Sequence, residues 1–141
     1  MKPRETSIEK FTPLLSAWAS AWSYRGDADF TGILTEDCVY EDVATERVFI
    51  GIADITDFAR EVRTAFPDFA VRLTSEIFTG SHASAEWEMT GTNGGELLGL
   101  PATNRAISVR GASMFEIEAG RFKRCSDYCN LASLLRQLGL N

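Results

Sequence analysis

Apolar residues at Ile8, Phe11, Leu14, Leu15, Trp18 and Trp22 recur every three to four positions and predict an amphipathic helix over 7–24, with Thr6 and Glu9 spaced as a capping box at its start. Gly26-Asp27 ends it, and Ala28 to Leu34 reads as a short second helix. After Thr35-Glu36-Asp37 the period changes to two. Cys38 to Val43 predicts a strand with Cys38, Tyr40 and Asp42 on one face, followed by a short extended piece from Arg47 to Ile50. Residues 52–65 return to helical spacing through Ile52, Ile55, Phe58 and Val62, with Phe66 just beyond, and Pro67-Asp68 stops that helix. Strand signals then follow one another: Phe69 to Phe78 with Phe69, Val71, Leu73 and Ile77 on one side, Ala83 to Thr92, Ala106 to Glu118, and Phe122 to Asn130. LASLLRQLG, residues 131–139, predicts a closing helix that ends at Gly139.

Helices first and long antiparallel strands afterwards make an α+β pattern, with the helices gathered on one face of a bent sheet. A chain of 141 residues, 45% of them hydrophobic, is the size of one domain, 1–141, able to bury its core without disulfides or metal. The Gly-rich stretch from Glu88 to Arg105 is its only long irregular connection and suits the rim or lid of a pocket.

A net charge of −6 and a pI of about 4.8, with basic residues scattered singly, exclude nucleic acid as the expected partner. No apolar run has signal-peptide or membrane-spanning length, so a soluble cytoplasmic protein with no membrane partner is expected. Three cysteines are present. Cys125 and Cys129 lie roughly 13 Å apart along one strand, too far to bridge, and read as small buried hydrophobes. With His82 as the sole imidazole, in a turn, no metal-ligand spacing exists.

The candidate chemistry centres on Asp127. Alternation puts Cys125, Asp127 and Cys129 on the inward face of the last strand, where burial raises the pKa of a carboxyl group towards the range of a general base or acid. The same acid could instead be satisfied by backbone or by a tyrosine. Tyr40 and Asp42 can converge on it from the first strand, unless Asp42 escapes to solvent at the strand end. Trp87 and Met89 face inward and Glu86 and Glu88 outward. Val109, Gly111, Ser113 and Phe115 share a face with Ile107, Gly111 leaving room for a ligand or for a bend and Ser113 offering a donor. Together with Trp18, Trp22 and Phe58 these residues compose the expected wall of a pocket for a small hydrophobic molecule.

SAEWEMTGT, then GLPATNR followed by ISVRGASMFEIEAGRFKR, then YCNLASLLRQLG resemble, in that order, the SnoaL-like polyketide cyclase branch of the nuclear transport factor 2-like superfamily. The resemblance implies an NTF2-like cone, in which N-terminal helices pack on the concave face of a strongly bent antiparallel or mixed sheet, and a homodimer. The outer-face residues Glu86, Glu88, Ser108, Arg110, Glu116, Arg124 and Tyr128 permit such a dimer. Members include aldol-type cyclases, ketosteroid isomerases, limonene epoxide hydrolases and proteins without a known reaction.

The family's acid/base carboxylate usually lies in a segment similar to WxDYYD. Here that segment reads CSDYCN, so Asp127 keeps the earlier acid and Asn130 replaces the later one with an amide that transfers no proton. Tyr40 and Asp42 resemble the water-holding pair of limonene epoxide hydrolases. The Arg and second Asp of the epoxide relay correspond to Trp87 and Met89, leaving epoxide hydrolysis a minor alternative. The implied function is a cofactor-free cyclase or isomerase acting on a polyketide- or steroid-like carbonyl compound. In it Asp127 removes the α proton, and Tyr40 with Asp42 or a water stabilises the enolate. The alternative is a non-catalytic small-molecule binder.

Overall fold

The computed structural model describes residues 11–24 and 26–140. Within them α1 spans Pro13–Trp22, β1 Leu34–Asp42, β2 Arg47–Ile50, α2 Ile52–Ala65, β3 Ala70–Phe78, β4 His82–Thr92, β5 Ala106–Glu118, β6 Arg121–Cys129 and α3 Leu131–Gln137. The strands form one open six-stranded sheet in the order β2-β1-β6-β5-β4-β3. It is mixed: β1 and β6 run parallel, and every other neighbouring pair is antiparallel.

Helix α1 starts at Pro13, which lacks the N–H that a first helical position leaves unused. The expected start at residue 7, Ile8 and the Thr6–Glu9 capping box lie outside the described residues. The observed cap is tertiary instead: Glu76 on β3 accepts both the Thr12 backbone N–H at 2.9 Å and the Thr12 hydroxyl at 2.6 Å. Leu15, Trp18, Ala19 and Trp22 then form a buried stripe against the sheet.

Glu76 reaches that helix because a bulge between Leu73 and Ser75 reverses the alternation of β3. The reversal also corrects the expectation that Ile77 shares a face with Leu73, since Ile77 is 67% exposed and Leu73 is buried. The helix expected over Ala28 to Leu34 does not form. Asp27, Ala28 and Gly32 have positive φ, and the Asp29 carboxylate accepts the Thr31 N–H in a local turn, so the segment closes only one turn around Phe30. Its apolar side chains are buried all the same, Phe30 at 1% exposure. The first strand accordingly begins four residues before Cys38, at Leu34.

Helix α2 follows Gly51, whose φ of 92° suits only glycine, and lays Ile55 and Ala59 on the sheet. At the other end of the chain, Asn130 lies just past β6 and caps α3 by accepting the Ser133 N–H at 2.9 Å. Beyond the register of β6, β5 has a free edge. The Gln137 amide covers it like a strand residue, accepting from Ser108 N at 2.8 Å and donating to Ser108 O at 3.0 Å. No described helix is long and apolar enough to cross a membrane.

Candidate active site

A cavity of about 150 Å3 lies between the sheet and the helices. Helix α1 supplies Trp18 and Trp22 to its wall, α2 supplies Phe58, Glu61 and Val62, and Phe66 and Phe69 follow. The sheet contributes Val71, Trp87, Met89, Ile107, Asp127 and Cys129. The β1–β2 turn adds Ala44 and Thr45 between Asp42 and Arg47, and Leu97, Leu98 and α3 complete the wall. The lining is apolar except for a few placed polar groups, the composition of small-molecule sites.

Asp127 and Asp42 are register partners on the parallel strands β6 and β1 and both line this cavity. The two acids of the sequence reading are thus neighbours. Asp42 accepts the Thr45 hydroxyl at 2.7 Å. Asp127 Oδ1 accepts the Ser113 hydroxyl at 2.5 Å and the Cys125 thiol at 3.3 Å. Burial raises the Asp127 carboxyl from the ordinary 3.8 to about 6; the Ser113, Cys125 and Tyr40 side chains pull it back, and the Asp42 charge adds to the rise. Burial also lifts the Cys129 thiol to about 11 and the Cys125 thiol well above its usual value, so both are protonated at neutral pH.

The other predicted residues divide between wall and core. Trp18, Trp22, Phe58, Trp87, Met89 and Cys129 line the cavity, whereas Tyr40, Val109, Gly111, Ser113, Phe115 and Cys125 are absent from its lining. Tyr40 is fully buried, its hydroxyl accepting the Trp18 indole N–H at 3.1 Å, and its phenol pKa is raised far above the ordinary value by burial and then by Asp127. It therefore sits against the acid rather than at the ligand space. Phe115 stacks on Phe122 at 4.2 Å and meets Trp18 edge-on at 5.2 Å, Cys125 is wholly buried, and Val109 belongs to the same core. Gly111 gives room to Trp87, not to a ligand: a Cβ there would overlap the indole Cη2. Ser113 is fully buried and accepts the Trp87 indole N–H at 2.9 Å. Apart from Gly111, which is half-buried, these residues share the inward face with the wall residues but are buried beneath it, a distinction that alternation does not carry.

Several wall residues escaped the sequence reading. Arg47 is one; its guanidinium forks onto Glu61 at 3.1 and 3.2 Å and lies 5.0 Å from the Phe49 ring and 5.2 Å from that of Phe58. Apolar spacing carries no signal for it; the hairpin register that pairs Asp42 with Arg47 brings it to the wall. Leu131, Leu134 and Leu135 did have a signal, the apolar stripe of the closing helix. Trp22 has an indole N–H that is buried without a hydrogen-bond partner among the described residues.

The rim is tied down by Asn93, buried to 1% exposure. Its amide donates to Ala65 O and Gly95 O and accepts from both the N–H and the hydroxyl of Thr103. That network closes the Gly-rich connection into a compact loop.

The sequence profile of the SnoaL-like polyketide cyclases matches residues 12–138. No curated protein matches the chain. Among solved structures, TsrD from Streptomyces laurentii is 26% identical over 98% of each chain, with a TM-score of 0.79. A Catenulispora acidiphila protein with a ketosteroid isomerase-like fold, in complex with trimethylamine, is 22% identical over 93% of this chain and 96% of that one, with a TM-score of 0.77. IdmH from Streptomyces antibioticus, described as a proposed polyketide cyclase, is 17% identical over 90% and 96% of the two chains, with a TM-score of 0.77. The open mixed sheet with helices on one face is the ketosteroid isomerase-like architecture of these neighbours.

Proposed function

Since this chain belongs to the SnoaL-like polyketide cyclase family, we propose that it is a cofactor-free cyclase or isomerase acting on a small hydrophobic carbonyl compound. The observation that carries this reading is the Asp127 carboxyl, which borders an apolar cavity with a pKa of about 6 and has Asp42 beside it. As the carboxylate it takes the proton α to the ligand carbonyl, and a water held by Asp42 donates to the enolate oxygen. In an isomerisation Asp127 returns the proton at another carbon. In an aldol-type closure the enolate carbon bonds to a second carbonyl carbon, and the new alkoxide takes the proton from Asp127. Base and donor suffice for either step, and no cofactor is invoked.

Tyr40, lying against the carboxyl rather than on the cavity wall, acts through Asp127. About 150 Å3 is the volume of a cavity that takes one benzene-sized ring, so the reacting ring occupies it and the remainder of a polyketide- or steroid-like ligand extends through the mouth. A homodimer through the outer sheet face accompanies this reading. On that face Met114 and Tyr128 are exposed, and Arg72, Glu88 and Ser108 form a hydrogen-bonded set; sedimentation at low concentration measures the assembly.

The test is deuterium uptake at the α-carbon of monocyclic and polycyclic ketones in heavy water. Wild-type protein exchanges at least one of them and Asp127→Asn exchanges none. Absence of exchange across the panel, or undiminished exchange by the variant, overturns the proposal. A second reading, a non-catalytic binder, is favoured by Asn130, whose amide stands where many relatives have an acid and is occupied in capping α3. Thermal stabilisation by a ketone without exchange supports it. Epoxide hydrolysis is disfavoured because Trp87 and Met89 occupy its relay positions and the one guanidinium on the described cavity wall, that of Arg47, is engaged by Glu61.

A further inference from the structure

We propose, building on the reading of Asp127 as the proton-transferring acid, that Trp87 and Ser113 are positioning residues that fix which of its oxygens carries the proton: Oδ1 is held as an acceptor, and the acid form bears its hydrogen on Oδ2. The chain of hydrogen bonds runs one way, from Trp87 through Ser113 to Asp127. An indole N–H only donates, so in the 2.9 Å bond from Trp87 Nε1 the Ser113 oxygen is the acceptor. The single hydroxyl hydrogen of Ser113 then goes to Asp127 Oδ1, 2.5 Å away. Cys125 adds a thiol donor to the same oxygen at 3.3 Å.

A proton on Oδ1 would point at a serine oxygen that already accepts from Trp87 and would turn the serine hydrogen away from its acceptor. Ser113 is fully buried, and no solvent replaces that lost partner. The direction is built into the register, since Trp87 pairs with Gly111 and Ser113 with Asp127 across three consecutive strands. Gly111 completes the device, because only a residue without a Cβ admits the indole in this pose. The proton exchanged with a ligand is therefore always the one on Oδ2, whether the carboxyl gives it or takes it.

Infrared difference spectra across the Asp127 titration, with carbon-13 aspartate for assignment and Asp127→Asn as the blank, read the proton's position from the carbonyl stretch of the acid form. Wild type shows the lowered wavenumber of a C=O that accepts a hydrogen bond. Ser113→Ala moves the band up and weakens the acid constant about tenfold, because a donor to the ionised form is lost. Ser113→Thr restores both, and Trp87→Phe moves the band in the direction of Ser113→Ala. If Ser113→Ala fails to fold, Trp87→Phe against wild type decides. A band unmoved by whichever of these variants folds overturns the proposal. Neither readout needs turnover: a shifted band without α-deuteration retains the relay and rejects the enzyme, and α-deuteration with an unmoved band does the reverse.

Discussion

Replacing Asp127 by Asn should make the protein more stable at neutral pH, by an amount that depends on pH in a defined way. The folded protein holds the Asp127 proton up to about pH 6, whereas the unfolded chain releases it near 3.8. Below the lower value the group is neutral in both states and contributes no difference. Between the two only the unfolded chain ionises, so wild-type stability falls as pH rises. Above the upper value the full cost of a charge in the cavity is present, about 3 kcal/mol for a displacement of about two pH units. Asn has the same shape, keeps an oxygen for Ser113 and Cys125, and carries no charge. Urea unfolding of both proteins from pH 3.5 to 8 measures the difference, which should grow from near zero to about 3 kcal/mol in favour of the variant. For a chain of this length the corresponding rise in Tm at pH 8 is about 10 °C. A variant no more stable than wild type at pH 8, or a difference that does not change with pH, would refute the claim that Asp127 is a desolvated acid. A more stable but inactive variant is also the expected signature of a site selected for chemistry over stability.

Gly111→Ala should cost about 2–3 kcal/mol and change the tryptophan fluorescence of the folded state, because the new methyl overlaps the Trp87 ring and approaches Tyr128 O within 2.7 Å; urea titration followed by fluorescence checks it. Asn93→Ala removes every tie of the 93–105 loop to that side chain and strands the Ala65 and Thr103 groups, costing about 2–4 kcal/mol. Hydrogen exchange should then quicken in the loop while β5 and β6 stay protected. Glu76→Ala removes the carboxylate that caps α1 and should cost about 1 kcal/mol, seen as a lower urea midpoint with unchanged slope.

Periodicity determined much of this protein. Helix α2, the strands from β2 onward and the inward face of β6 follow from apolar spacing alone, because each element must turn its apolar face to one core. Asp127 stood out for the same reason, as an acid at a position whose neighbours two residues away are buried or half-buried thiols. What spacing could not supply was depth. Tyr40, Ser113 and Phe115 alternate just as Trp87 and Met89 do, and only the packing of neighbouring elements decided which reach the cavity and which lie beneath its wall.

Three features belonged to the tertiary structure from the start. The bulge in β3 brings Glu76 to α1, the hairpin register sets Arg47 opposite Asp42, and the parallel pairing of β1 with β6 puts Asp42 beside Asp127. Each joins residues far apart in the chain or across a turn, and their energy is a property of the pair rather than of either residue. The raised affinity of Asp127 for its proton arises in the same way. The sequence provided a carboxyl group on an inward face, and the fold removed its water and chose its donors.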